Sequence, residues 1–278
     1  MSHIVLVNIE NDTEKVRRQF SPPFGLLIAA SVLVRNNVDV VVRHIINTNE
    51  SLAELSEICK DALAVGFSVM TSPNLLSAIE ASKMLHNLGI FVYWAGTHAS
   101  LLPEVVLKEC YVDAVLRGEA ECNLYEFYQW RIGKIKADNV RGLCYKKNGE
   151  VIISPLPPLV ELSQLGYHPF ELLDIKKYVD KPVVKRKNYI PGKILPFMTS
   201  KGCVKKCAFC YNTVVNNSKW RPYSLTSVYR EMDFLIENYG ITGWMFYDDN
   251  IFVDPERAWT IIEKYKICLL YTSDAADD

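Results

Sequence analysis

No stretch of this sequence approaches the roughly 20 consecutive apolar residues that a membrane-spanning helix needs. The opening residues, MSHIVLVNIE, lack the basic start, long apolar stretch and small-residue cleavage site of a secretory leader. Neither sign of charge prevails: 31 Lys and Arg stand against 32 Asp and Glu, for a net charge of -1. There is therefore no global basic field of the kind that nucleic-acid binding draws on. No Gly-x-Gly-x-x-Gly follows the first apolar run, which disfavours a nicotinamide cofactor, and no internal repeat is visible. What is present is a balance of 49% hydrophobic and 23% charged residues over 278 positions. That is the profile of a soluble globular protein with room for two ordinary domains or one large one. The cytoplasm is the simplest expected location.

Cysteine is sparse, with eight residues. Cys59, Cys110, Cys122, Cys144 and Cys268 are scattered among mostly apolar or helical surroundings and read as core or incidental residues, kept as thiols in a reducing compartment. Three others crowd into SKGCVKKCAFCYN, at Cys203, Cys207 and Cys210. This segment contains Gly and Lys and reads as a loop, where simple burial is a poor explanation.

The first 130 residues alternate short β-branched runs with helical patterns. Strands are expected at 3–9, 38–45, 62–69, 90–96 and 112–118, and helices at 24–36, 51–61, 73–89, 103–110 and 119–130. Ser51 with Glu54 three residues on reads as a capping box. Five strands separated by helices imply a doubly wound, Rossmann-like parallel sheet with helices on both faces. Such sheets bind ligands at the carboxyl ends of their strands, here 8–11, 68–73, 96–100 and 118–121. From about 136 to 193 the pattern changes to a hairpin turning at Asn148-Gly149, then a proline-rich linker. A second run of strand–helix units opens at 194, with strands at 194–200 and 242–250 and helices at 224–240 and from Pro255, as a (β/α) barrel begins. Residues 267–278 break the pattern and read as foreign sequence closing a truncated barrel. The expected division is thus 1–135, 136–193, 194–266 and 267–278.

Three thiolates on one loop do not suit a structural zinc site, which takes four ligands and usually two Cys-x-x-Cys pairs. They could instead ligate three irons of a four-iron, four-sulfur (4Fe-4S) cluster, leaving the fourth open to a ligand. Cys203-x-x-x-Cys207-x-x-Cys210, with aromatic Phe209 before the last cysteine, resembles the signature of radical S-adenosylmethionine enzymes. That resemblance implies a cluster whose open iron chelates S-adenosylmethionine and whose electron cleaves the sulfonium to give a 5′-deoxyadenosyl radical. It implies Phe209 beside the adenine, and Asp248 or Asp249, in YDDN at a strand end, facing the amino group. The competing readings are a zinc or incidental site for the cysteines and helix capping or a solvated loop for the aspartates. Lys201, Lys205 and Lys206 flank the thiols, either offsetting cluster charge or as plain loop lysines.

The segments PPFGLLIAASVLVRNNVDVVV, AVGFSVMTSPN and WAGTHASLLPEVVLKECYVDAVLRGEAE together resemble the cobalamin-binding domain that precedes many radical S-adenosylmethionine cores. The resemblance makes Ser68, Thr71, Gly96, Thr97, His98, Gly118 and Glu119 the candidate contacts for cobalamin. No Asp-x-His-x-x-Gly occurs, so cobalt would lack the histidine ligand of that motif, and His98 is expected to be a hydrogen-bonding loop residue. The domain could also be a degenerate unit that binds nothing.

The resulting expectation is a cobalamin-dependent radical enzyme that methylates an unactivated carbon of a small-molecule or natural-product substrate. An electron donor such as flavodoxin or ferredoxin would serve it, with no nucleic-acid partner and no membrane span. The alternatives are a radical cyclase or oxidoreductase resembling the tetrapyrrole ring cyclases, or a cobalamin and iron–sulfur sensor without catalysis.

Overall fold

The computed structural model describes residues 3–13, 21–72, 74–165, 168–179, 183–185, 188–190 and 192–265. Cys268 and the tail 267–278 lie outside these. The chain divides into two compact units. The first comprises Met1–Val16, Pro23–Val160 and His168–Leu173, and the second Arg17–Pro22, Glu161–Tyr167 and Asp174–Asp278.

In the first unit the β-branched runs form strands β1 (His3–Glu10), β2 (Val40–Ile46), β3 (Ala62–Ser68), β4 (Val92–Ala95) and β5 (Ala114–Leu116). They lie in the order β2-β1-β3-β4-β5, all parallel, so the direction of winding reverses between β1 and β3. Helices α1 (Phe24–Arg35), α2 (Asn49–Cys59), α3 (Asn74–Asn87), α4 (Thr97–Leu101), α5 (Pro103–Lys108) and α6 (Ala120–Arg131) cover it. One face packs Val5, Val7, Val65 and Phe67 under Leu52, Leu55, Ala81 and Leu85 of α2 and α3. The other packs Ile4, Leu6, Ala64 and Tyr93 under Leu26, Ala30 and Leu33 of α1 and Leu124 and Phe127 of α6. Each strand contributes to both cores because successive side chains point to opposite faces. Each fully buried aliphatic side chain stabilises the unit by about 1.5–3 kcal/mol.

Three local expectations are corrected. The hairpin expected to stand apart, within 136–193, is the edge of this sheet. Strands β6 (Leu143–Lys147) and β7 (Glu150–Ile152) extend it antiparallel from β5, and the first unit runs on to Val160. Its turn is as expected, with positive φ at both Asn148 and Gly149. The capping box of α2 begins at Thr48, not Ser51: the Thr48 hydroxyl accepts the Ser51 N–H, and the Ser51 side chain accepts the Thr48 N–H. Residues 97–101, read as a loop, form α4.

In the second unit β10 (Ile194–Phe197) pairs in parallel with β13 (Gly243–Phe246). Before them come the short helix α7 (Lys176–Val179) and the antiparallel pair β8 (Val183–Lys185) and β9 (Asn188–Ile190). Between β10 and β13 lie β11 (Ser200–Lys201), the cysteine loop, α8 (Asn212–Val215), β12 (Arg221–Pro222) and α9 (Leu225–Tyr239). Helix α9 is capped by the Ser224 hydroxyl and ends at Gly240, whose φ of 66° is left-handed. It buries Val228, Met232 and Leu235, the one-sided spacing of a helix laid on a sheet. Helix α10 (Pro255–Tyr265) follows β13 and buries Ala258, Ile261 and Ile262. Two parallel strands, each followed by a helix, are the opening of a (β/α) arrangement. Among the described residues, no helix is long and apolar enough to cross a membrane.

Candidate functional site

The cysteine loop leaves β11 at Gly202, whose φ is +82° and where any side chain would run into the Lys219 carbonyl. Glycine is needed there because only it adopts this backbone without strain. Asn212, buried at the start of α8, then grips Cys203 at both backbone atoms. Its Oδ1 accepts the Cys203 N–H at 3.0 Å, and its Nδ2 donates to the Cys203 carbonyl at 2.6 Å. The Cys210 N–H donates to the Cys207 carbonyl at 3.0 Å, closing the turn that brings these two together. All three cysteines are free thiols, Cys207 exposed and the other two partly so. Two donors reach the Cys203 sulfur: the Lys205 N–H at 3.4 Å and the Asn250 Nδ2 at 3.9 Å. Phe209 is 86% exposed, an aromatic face with no packing role in the unit's core. Lys205 and Lys206 are exposed.

The two aspartates of YDDN both reach back to this loop, by different routes. Asp248 accepts from the Thr199 N–H at 3.1 Å, the Thr199 hydroxyl at 2.7 Å and the Ser200 hydroxyl. Burial pushes its carboxyl above the usual range, against the pull of those donors and of the Arg257 charge. Arg257 completes the brace from α10, donating to the Thr199 hydroxyl and carbonyl, each at 3.0 Å, and to the Tyr223 carbonyl at 2.9 Å. Asp249 is exposed and spans the loop. It accepts the Gly202 N–H at 2.7 Å on one side of the cysteines and the Tyr211 O–H at 2.8 Å on the other. Burial, then the Asp249 charge, push the Tyr211 hydroxyl up.

Sequence reasoning missed Thr199, Tyr211, Asn212, Asn250 and Arg257. Only Arg257 carried a signal: a cation in the first turn of a helix opposes the macrodipole and implies a specific acceptor.

The donor set fits an iron–sulfur cluster: three unpaired thiols on one loop held by its own backbone, with N–H donors aimed at a sulfur. Among the described residues, no three His, Cys, Asp or Glu side chains converge as they would around a single metal ion. A cluster makes a different demand, one thiolate per iron.

At the carboxyl edge of the first sheet, Ser68, Thr71, Gly96, Thr97 and His98 come together. The Val69 N–H donates to Ala95 and the Val69 carbonyl accepts from His98 N–H, tying the ends of β3 and β4. Gly96 has φ +90°, and an added Cβ would lie 2.8 Å from the Val69 carbonyl. His98 sits in α4, buried, with Nδ1 2.9 Å from the Thr71 hydroxyl, and burial holds its pKa below the usual value. Exposed Met70, Leu101 and Leu102 adjoin these residues in the chain. An edge offering hydroxyls beside apolar side chains suits a large flat ligand with polar appendages. Gly118 is tied to α4, its N–H donating to the Ser100 hydroxyl at 3.0 Å, and both Gly118 and Glu119 also hold the segment 157–160. An added Cβ on Gly118 would strike Pro157, and Glu119 accepts the Val160 N–H at 3.4 Å.

No family model matches the chain. An uncharacterized methyltransferase of Pyrococcus horikoshii is 29% identical over 269 residues, 95% of this chain and 56% of that protein. The anaerobic magnesium-protoporphyrin IX monomethyl ester cyclase of Synechocystis is 22% identical across 85% of this chain and 47% of its own length. Among solved structures, the radical S-adenosylmethionine methyltransferase TsrM from Kitasatospora setae, with cobalamin and a 4Fe-4S cluster bound, superposes with a TM-score of 0.75. That match covers 95% of this chain and 52% of that one at 17% identity. The fold is therefore the one found in a cobalamin-dependent radical S-adenosylmethionine protein. By sequence the chain is similar to a methyltransferase and a cyclase, by fold to a radical S-adenosylmethionine methyltransferase with cobalamin and a 4Fe-4S cluster bound, and it spans about half the length of the curated relatives it matches.

Proposed function

We propose that this chain is the cofactor-binding part of a cobalamin-dependent radical S-adenosylmethionine enzyme that methylates an unactivated carbon of a small-molecule or natural-product substrate. The observation that carries this reading is the cysteine loop: three free thiols on a braced turn, with no fourth cysteine on it. Cys203, Cys207 and Cys210 would hold the cluster and leave one iron open. When bound, the cluster with S-adenosylmethionine supplies reductive cleavage of the sulfonium, and cobalamin supplies a transferable methyl group.

The chain's own residues divide the remaining work. Asp248 and Arg257 fix the strand that feeds the loop, and their hydrogen bonds are spent on Thr199, Ser200 and Tyr223. Asp249 is the better carboxylate for the ammonium of S-adenosylmethionine. It is exposed, and two bonds leave it further acceptor capacity. Phe209 offers the adenine a stacking face. Ser68, Thr71, Gly96 and Thr97 line the cobalamin edge, where His98 is already committed to Thr71 and stays neutral. Gly118 and Glu119 serve that edge by holding the segment 157–160. An electron donor such as flavodoxin or ferredoxin would reduce the cluster.

Methyl transfer is favoured over ring cyclisation because the alignment to the Pyrococcus methyltransferase is both longer and closer than that to the cyclase. The test is anaerobic reconstitution with iron, sulfide and hydroxocobalamin, followed by reduction with S-adenosylmethionine present. The proposal expects corrin absorbance to co-purify and 5′-deoxyadenosine or S-adenosylhomocysteine to form. Retention of both cofactors with neither product would leave a sensor.

A further inference from the structure

The Asn250 side chain is fixed at both ends. Its Oδ1 caps the turn after β13 by accepting the Phe252 N–H at 3.1 Å. That bond decides which way the amide is turned, so Nδ2 faces the Cys203 sulfur, 3.9 Å away. The Lys205 backbone N–H approaches the same sulfur at 3.4 Å. Two donors thus converge on the first cysteine of the loop, and one is a side chain that can be changed without touching the loop itself. Hydrogen bonds to ligating sulfur stabilise the more negative, reduced state of an iron–sulfur cluster and raise its potential.

We propose that Asn250 is a positioning residue whose side-chain N–H, directed at the Cys203 sulfur, raises the reduction potential of the cluster this loop holds. The inference rests on the cluster reading given under Proposed function and deepens it. It assigns to YDDN two roles beyond ligand binding: bracing by the aspartates and tuning by the asparagine.

Two variants separate tuning from capping. Asn250→Ser and Asn250→Asp both keep an oxygen that can accept the Phe252 N–H. The first removes the amide donor, and the second replaces it with an anion facing the sulfur. Wild-type protein and both variants are loaded anaerobically with iron and sulfide. Metal content, far-ultraviolet circular dichroism and the midpoint potential are then measured, the last by redox titration followed by electron paramagnetic resonance. The expected result is unchanged iron content and circular dichroism, with the potential shifted negative in N250S and further negative in N250D. Potentials unchanged at equal iron content, or shifted positive, overturn the tuning role while leaving the cluster reading intact. Loss of iron from N250S with native circular dichroism also overturns it, because the residue would then be a strut. Failure of the wild-type chain to take up iron and sulfide removes the cluster reading and this inference together.

Discussion

The brace behind the cysteine loop can be tested by removing its cation. Arg257→Met keeps much of the apolar stem and deletes three hydrogen bonds: two to Thr199 and one to the Tyr223 carbonyl. Hydrogen bonds to a charged group contribute about 1.5–3 kcal/mol each, and bonds sharing one guanidinium do not add fully. A loss of about 3–4 kcal/mol follows from the three bonds taken together. Because the chain has two units, a single global unfolding energy is a poor readout. Native-state hydrogen exchange reads the site directly. The Thr199 N–H is held by Asp248 and the Tyr223 N–H by the Thr199 carbonyl. Protection at these two amides should fall by a factor on the order of 10²–10³, at about 1.4 kcal/mol per tenfold, while amides of β1 and β3 serve as the internal reference. Arg257→Lys should recover only part of it, since a point charge cannot serve three acceptors spread across a planar fork. A change below tenfold at both amides in R257M would refute the bracing argument.

Gly202→Ala forces a side chain into left-handed backbone and against the Lys219 carbonyl. It should cost at least about 1–2 kcal/mol from the backbone alone, seen as a lower thermal midpoint and reduced iron uptake. Phe209→Ala should change stability by less than about 0.5 kcal/mol, because the ring is exposed. It should nevertheless weaken S-adenosylmethionine binding to cluster-loaded protein roughly tenfold or more, the scale of a lost base–aromatic stack. For pH, the His98 pKa in the folded chain lies below its ordinary value near 6.5. Its contribution is therefore fully present above pH 6.5 and is lost as pH falls below that value. His44, which burial also holds low, acts in the same direction. Denaturation midpoints at pH 7.5 and 5.5 should thus drop less in His98→Gln than in wild type, without becoming flat.

Where a pattern recurs along the chain, it was legible. The five parallel strands follow from β-branched runs spaced by helical periods, and the Asn148-Gly149 turn from its dipeptide. The three cysteines stood out by their crowding into one loop, while their reading as cluster ligands came with the family resemblance. The brace was not legible because its members are brought together only by folding: Thr199 meets Asp248 across 49 positions and Arg257 across 58. Nor could sequence distinguish Asp248 from Asp249. Adjacent residues at the end of a strand point opposite ways, and only the packing shows which side is the buried one. The hairpin was recognised but misplaced, since its short strands carry no mark of the sheet they join. Thr97–Leu101 is too short to show a helical period.

The most direct test of the central claim is the response of the reduced, iron-loaded chain to S-adenosylmethionine, read by electron paramagnetic resonance. The account predicts that a 4Fe-4S signal forms, that it requires Cys203, Cys207 and Cys210, and that it shifts when S-adenosylmethionine is added. A fully loaded cluster whose signal is identical with and without it, or purified protein holding zinc at these thiols in place of iron, would contradict the account.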